Sequence, residues 1–145
     1  MGKFYWAIYN ACDYRTIYFL INPKNNQVYV GQTKRNLKSR VREHIQGYSD
    51  TTRSFIEIMK DNNIVPVVVD VETSMLTEQD AYALELIWIK ILRENNFDVI
   101  NCEGDIRNSK NIFERHIPKY EKRKGVNIYE LCNNQKCEIQ GVTSK

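Results

Sequence analysis

Two runs of large apolar residues, Tyr14 to Ile21 and Gln27 to Gly31, flank the turn cluster Asn22-Pro23-Lys24-Asn25-Asn26, a pattern that predicts a β-hairpin. Residues 4 to 9, rich in Phe, Tyr, Trp and Ile, predict a further strand before it. Side chains alternate between the two faces of a strand, so Ile17, Phe19, Ile21, Val28 and Val30 are expected to line one face as core. Any register that brings Tyr18 near Tyr29 has an odd sum of facing residue numbers. Their rings therefore share the other face, and only a slip by one residue would part them.

After Gly31-Gln32-Thr33 the apolar period lengthens to that of a helix. Asn36 suits an N-cap, and Leu37, Val41 and Ile45 form a stripe that Gly47 ends. Arg40 and His44, at i and i+4 beside that stripe, are expected to point together toward one edge of the sheet. A second short helix is predicted from about Thr52 to Lys60, with Phe55, Ile56 and Met59 turned inward. Ile64 to Glu72 reads as a third strand, placed at an edge because Pro66 cannot donate to a ladder. Thr77, with Asp80 at the third position, makes a partial capping box for the longest helix, which reads AYALELIWIKIL and ends near Asn95-Asn96. A short strand is expected around Val99 to Asn101.

The fold class is therefore α/β of the α+β kind: a small, mainly antiparallel three-stranded central sheet flanked by helices. Residues 1–105 are expected to form this domain. Residues 106–145 form a basic extension in which Ile112, Ile117 and Tyr120 suggest one amphipathic helix.

A chain of 145 residues with 42% hydrophobic content can bury a sizeable core. No segment approaches the roughly 20 apolar residues needed to cross a bilayer. The N-terminal MGKFYWAIYN shows neither a signal-like apolar region nor a cleavage site, so the expected location is intracellular. The four cysteines, Cys12, Cys102, Cys132 and Cys137, are too few and scattered for a disulfide scaffold. Cys132 and Cys137 could make half a zinc site with His116, but no second closely spaced pair completes it.

A net charge of +3 is modest, but its distribution is not. Lys34, Arg35, Lys38, Arg40 and Arg42 face one acid, Glu43, between Gln32 and His44, and a second basic cluster spans Ile106 to Lys124. Each is either a solvated face or a surface for a polyanion. Within the apolar helix Glu85 is the only carboxylate of its run. Burying it unpaired costs several kcal/mol, so it calls for an arginine, a metal or a cleft.

Taken in order, Ile17-Tyr18, Tyr29-Val30-Gly31, Gln32-Thr33, Arg40, His44, Glu85-x-x-Trp88-Ile89 and Asn101 resemble the GIY-YIG nuclease domain over roughly residues 14 to 105. The YVGQT-to-REH portion is most similar to the small endonucleases of phages and other mobile elements. Thr16 departs from the family, which usually has its first glycine there, and bears on turn geometry more than on chemistry.

The resemblance implies hydrolysis of DNA phosphodiesters with one divalent metal, Mg2+ or Mn2+. Glu85 suits an ion that keeps most of its waters and takes one protein oxygen. Arg40 would offer a fork of donors to the scissile phosphate. Tyr18 and Tyr29 are both placed to activate water, with Tyr18 favoured as base and Tyr29 as its orienting partner. Either needs help, because a phenol ordinarily ionises near pH 10. His44 would take the tyrosine proton or meet the leaving group. Asn101 would hold the site by hydrogen bonds, or else be a turn residue before Gly104. Lys34, Arg35, Lys38 and Arg42 are the expected contacts to flanking phosphates.

Two other readings compete with the endonuclease: a catalytically silent nucleic-acid-binding module of the same fold, and an interaction domain whose basic tail docks an acidic partner. The extension is short for a sequence-reading domain, so specificity is expected to be weak or borrowed from a homodimer or a protein partner.

Overall fold

The structure, a computed structural model, describes residues 12–101 and 114–137. Strands β1 (Asp13–Asn22) and β2 (Gln27–Thr33) pair antiparallel, with Phe19 opposite Val30 and Leu20 opposite Tyr29. The facing pairs have the odd sum that places Tyr18 and Tyr29 on one face. Asparagines build the turn between the strands. The Asn22 side chain accepts from the Lys24 amide at 2.9 Å, that of Asn25 accepts from the Gln27 amide at 3.0 Å, and Asn26 takes the left-handed conformation at φ 60°.

Strand β3 (Val67–Leu76) pairs antiparallel with β1 on its other side. It begins after Pro66, three residues later than the pattern predicts, because a proline has no amide to give the ladder. It also runs on past Glu72, since Asp13 to Thr16 of β1 lie alongside residues 73 to 76. Two short strands complete the sheet: β4 (Asp98–Val99), parallel to β2, and β5 (Lys136–Cys137), antiparallel to β3. The order is β4-β2-β1-β3-β5, so the expected three antiparallel strands are the middle of a five-stranded mixed sheet. Strand β4 is the short strand expected around Val99 to Asn101, starting one residue earlier, whereas no periodic pattern marks the two residues of β5.

Each face of the sheet is covered by its own helices. Helix α1 (Leu37–Ile45) starts at Asn36, whose side chain accepts from the Lys38 and Ser39 amides. Together with α2 (Arg53–Asp61), it packs Val41, Phe55, Ile56 and Met59 over Tyr18, Leu20 and Val68. Helix α3 (Glu78–Glu94) is capped by Thr77, whose hydroxyl accepts from the Asp80 amide at 3.1 Å. It lies on the opposite face against Ile17, Phe19, Ile21, Val28 and Val30, the five residues expected there, with Trp88 edge-on to Phe19.

Among its described residues the extension does not form the single helix expected from Ile112, Ile117 and Tyr120. It forms α4 (Ile117–Arg123) and α5 (Ile128–Gln135), broken around Gly125, with the Asn127 side chain accepting from the Glu130 amide at 3.1 Å. Ile128 is buried in the α3-side core, and Tyr120, Val126, Leu131 and Cys132 pack against it. The Arg123 guanidinium grips Glu72 with two donors at 2.8 Å, and the Trp88 indole N–H donates to the same carboxylate at 2.7 Å. Burial alone would raise the Glu72 carboxyl, but these bonds and the Arg123 and Lys122 charges together hold it below its ordinary value. Lys119 pairs with Asp80 and Lys124 with Glu121, so much of the second basic cluster is neutralised within the fold. The strand expected at residues 4 to 9, Cys102 and Ile112 lie outside the described residues.

Candidate active site

Tyr18 lies where the α1–α2 cover of the sheet meets the hairpin, and it is fully buried. Its ring crosses directly over Gly31. A Cβ placed on Gly31 would come within 2.5 Å of both the ring Cζ and the hydroxyl. Gly31 is thus required for space rather than for backbone freedom, since among the described glycines only Gly47 has a positive φ. Tyr29 stands beside Tyr18 with ring centroids 6.4 Å apart and is half-buried.

From α1, His44 reaches both rings. Its Nε2 lies 2.7 Å from the Tyr18 hydroxyl, and its imidazole meets the Tyr29 ring at 5.3 Å. Its Nδ1 lies 2.7 Å from the hydroxyl of Thr52, the residue before α2. Both His44 and Thr52 are fully buried. Burial, then the positive charge of Arg40, lowers the His44 pKa to about 4. The imidazole is therefore neutral at physiological pH, able to accept one proton and donate another.

Arg40, one turn before His44, is close enough to Tyr18 for its charge and its donors to act on the hydroxyl. Burial first, then Tyr29 and also Glu85 from α3, nevertheless push the Tyr18 pKa well above that of an ordinary phenol. The chain thus brings Tyr18, Tyr29, Arg40, His44 and Glu85 together from β1, β2, α1 and α3 around one hydroxyl. Glu43, which pairs with Arg35, also lies 3.8 Å from Arg40.

Asn101 is buried and stands just beyond β4. Its Oδ1 accepts from the Val30 amide at 2.9 Å and its Nδ2 donates to the Val30 carbonyl at 2.8 Å. It continues the ladder with a side chain where β4 has ended, and so holds the strand segment carrying Tyr29 and Gly31. Thr16, where the resemblance would put a glycine, is paired with Thr33 on one side and Thr73 on the other, just before an irregularity in the β1–β3 register between Ile17 and Tyr18, and its hydroxyl meets that of Thr73 at 2.8 Å. Lys34, Arg35, Lys38 and Arg42 are exposed along the end of β2 and on α1. Lys34 also lies 3.8 Å from Asp13.

Thr52 is the residue whose place in this cluster was not legible in the sequence, where it marks only the start of a helix. The hydroxyl's partner is eight positions away across a loop that carries no periodic pattern. Among the described residues no group of three or more His, Cys, Asp or Glu side chains could hold a metal. Burial raises the Cys132 thiol to about 11.

The depressed His44 pKa makes stability depend on pH. In the unfolded chain this imidazole protonates near its ordinary value, about 6.5, whereas in the folded chain it resists until about pH 4. The unfolded state therefore binds more protons between these values. Stability that is complete above about pH 6.5 falls on acidification by on the order of 3 kcal/mol from this group. An NMR titration of the His44 imidazole, run beside urea midpoints at pH 7 and pH 4.5, checks this. Titration near 6.5 would refute it.

A model of the GIY-YIG catalytic domain matches residues 14–98 of the chain. No curated protein and no solved structure matches it.

Proposed function

The chain belongs to the GIY-YIG family, and from that premise we propose that it is a metal-dependent endonuclease that hydrolyses DNA phosphodiester bonds. The observation that carries this reading is the convergence on the Tyr18 hydroxyl of an imidazole and a guanidinium from α1 and a carboxylate from α3. Packing alone does not call for such a set, whose groups raise and lower one another's pKa values.

The donor set fits a divalent cation of the Mg2+ or Mn2+ kind. A single carboxylate, with no further cluster of ligands among the described residues, suits an ion that keeps its waters better than it suits zinc. Glu85 would hold it. The bound cation would stabilise negative charge on the phosphoryl oxygens.

Every other role falls to the chain's own groups. Arg40 turns from Tyr18 to the scissile phosphate, which neutralises growing charge and uncovers the Tyr18 hydroxyl. Tyr18 then takes the proton of the attacking water as its own proton passes to His44 Nε2, and the half-buried Tyr29 orients that water. The concerted path avoids free phenolate, which the burial of Tyr18 makes costly. Lys34, Arg35, Lys38 and Arg42 contact flanking phosphates, and Asn101 keeps the Tyr29 strand in place. Specificity beyond the cut comes from a second copy or a protein partner.

The test is cleavage of supercoiled, linear and branched DNA by the purified chain with Mg2+ or Mn2+ and with a chelator. Metal-dependent nicking or cutting of at least one substrate is expected. Salt-sensitive binding to all of them without turnover would instead leave a binding module of the same fold.

A further inference from the structure

We infer that Thr52 is a positioning residue for hydrolysis, its hydroxyl fixing which nitrogen of His44 carries the proton and hence which way the Tyr18 hydrogen bond runs. This rests on the endonuclease reading. Its geometry is a closed chain of three fully buried side chains, with 2.7 Å from the Tyr18 hydroxyl to Nε2 and 2.7 Å from Nδ1 to the Thr52 hydroxyl.

The position of Thr52 shows that its hydroxyl has been diverted from a local task. It stands at the N-cap of α2, where a threonine hydroxyl ordinarily accepts from an amide of the first turn. Asn36 and Thr77 do this for α1 and α3. Thr52 makes no such bond, and its backbone, at φ −104° and ψ −2°, is not in the extended conformation that favours one. The side chain turns instead to an imidazole on the neighbouring helix.

A hydroxyl in that place has a definite chemical effect. By accepting from Nδ1–H it leaves the Nε2 lone pair free to receive the Tyr18 O–H. A carboxylate there would select the same tautomer, but it would also stabilise the imidazolium and hold the proton on the ring. The neutral hydroxyl orients His44 without trapping it.

In the reaction the water oxygen forms its bond to phosphorus and the bond to the leaving oxygen breaks. The water's proton goes to the Tyr18 hydroxyl as Tyr18's proton goes to Nε2. The leaving alkoxide takes a proton from solvent, and His44 returns its extra proton to solvent through Tyr18. Throughout, Nδ1–H stays with Thr52.

The experiment compares the full chain with Thr52→Val and Thr52→Ser in DNA cleavage, and reads the imidazole nitrogens of His44 by 15N NMR. His116, the second of only two histidines, is the internal reference. Val is expected to lower kcat by about 10- to 100-fold, the range in which partners of site histidines act, with KM for DNA unchanged; Ser restores most of it. Wild-type His44 is expected as a single tautomer protonated at Nδ1, and that preference is lost in Thr52→Val. An unchanged kcat in Thr52→Val, or a wild-type proton on Nε2, would overturn the inference. The wild-type spectrum decides the tautomer even if the valine variant does not fold. If the wild type cuts no DNA, the endonuclease reading fails and the tautomer measurement still stands on its own.

Discussion

Glu85→Gln protein is expected to bind DNA and not to cut it. Glutamine has the shape of glutamate, so the packing of its neighbours Leu84, Leu86 and Ile89 in the α3-side core is kept. What disappears is the negative charge that faces the Tyr18 hydroxyl and that would hold the cation. Charge stabilisation by a bound metal amounts to several kcal/mol of the barrier, and each 1.36 kcal/mol is tenfold in rate, so the loss is about 1000-fold or more. Plasmid nicking measures the rate, and gel retardation measures binding. Removing a negative charge beside a bound polyanion would leave binding equal or tighter. Wild-type cutting by the glutamine variant would remove Glu85 from the site and with it the metal assignment.

Gly31→Ala has the second large effect, and it acts on fold and chemistry together. The new methyl would lie 2.5 Å from the Tyr18 Cζ and hydroxyl and 2.9 Å from Cε1. The ring has nowhere to go, being fully buried with its hydroxyl tied to His44. The strand cannot easily yield either, because Asn101 holds the adjacent Val30 through both its amide N–H and its carbonyl. Overpacking of this kind costs about 3 kcal/mol, a large share of a typical domain's stability. The melting temperature should fall by roughly 10 °C in a chain of this size. Cleavage should be lost even well below the melting point, because the Tyr18 hydroxyl is driven off Nε2. A variant that melts and cuts like the wild type would mean the ring is free to move.

The parts of this site legible in the sequence were those carried by local periodicity. Strand alternation predicted that Tyr18 and Tyr29 share a face, and the Phe19–Val30 register has that parity. Helical spacing predicted that Arg40 and His44 act together, and both attend Tyr18. The caps Asn36 and Thr77 were legible because capping involves only the next three residues.

Contacts between distant elements were not legible. No period links His44 to Thr52, nor Glu72 of β3 to Arg123 of α4. The full burial of Tyr18 depends on three surrounding elements at once. The extension reads as a charged tail because its cations are visible in the sequence, whereas the partners that neutralise Lys119 and Arg123, Asp80 and Glu72, are tens of residues away.

The carboxylate of Glu72 gives the extension a mechanical part in the site. Trp88 lies one helical turn past Glu85 on α3, and its indole is pinned to the same carboxylate that Arg123 grips from α4. A helix lying on a sheet can roll about its long axis, and a roll of α3 would sweep Glu85 through an arc relative to Tyr18. Glu72 acts as the key in that shaft: fixed in β3, engaged with the helix through Trp88, and locked from outside by Arg123. The angular setting of Glu85 is thus held by a residue some twenty-five positions beyond the matched domain.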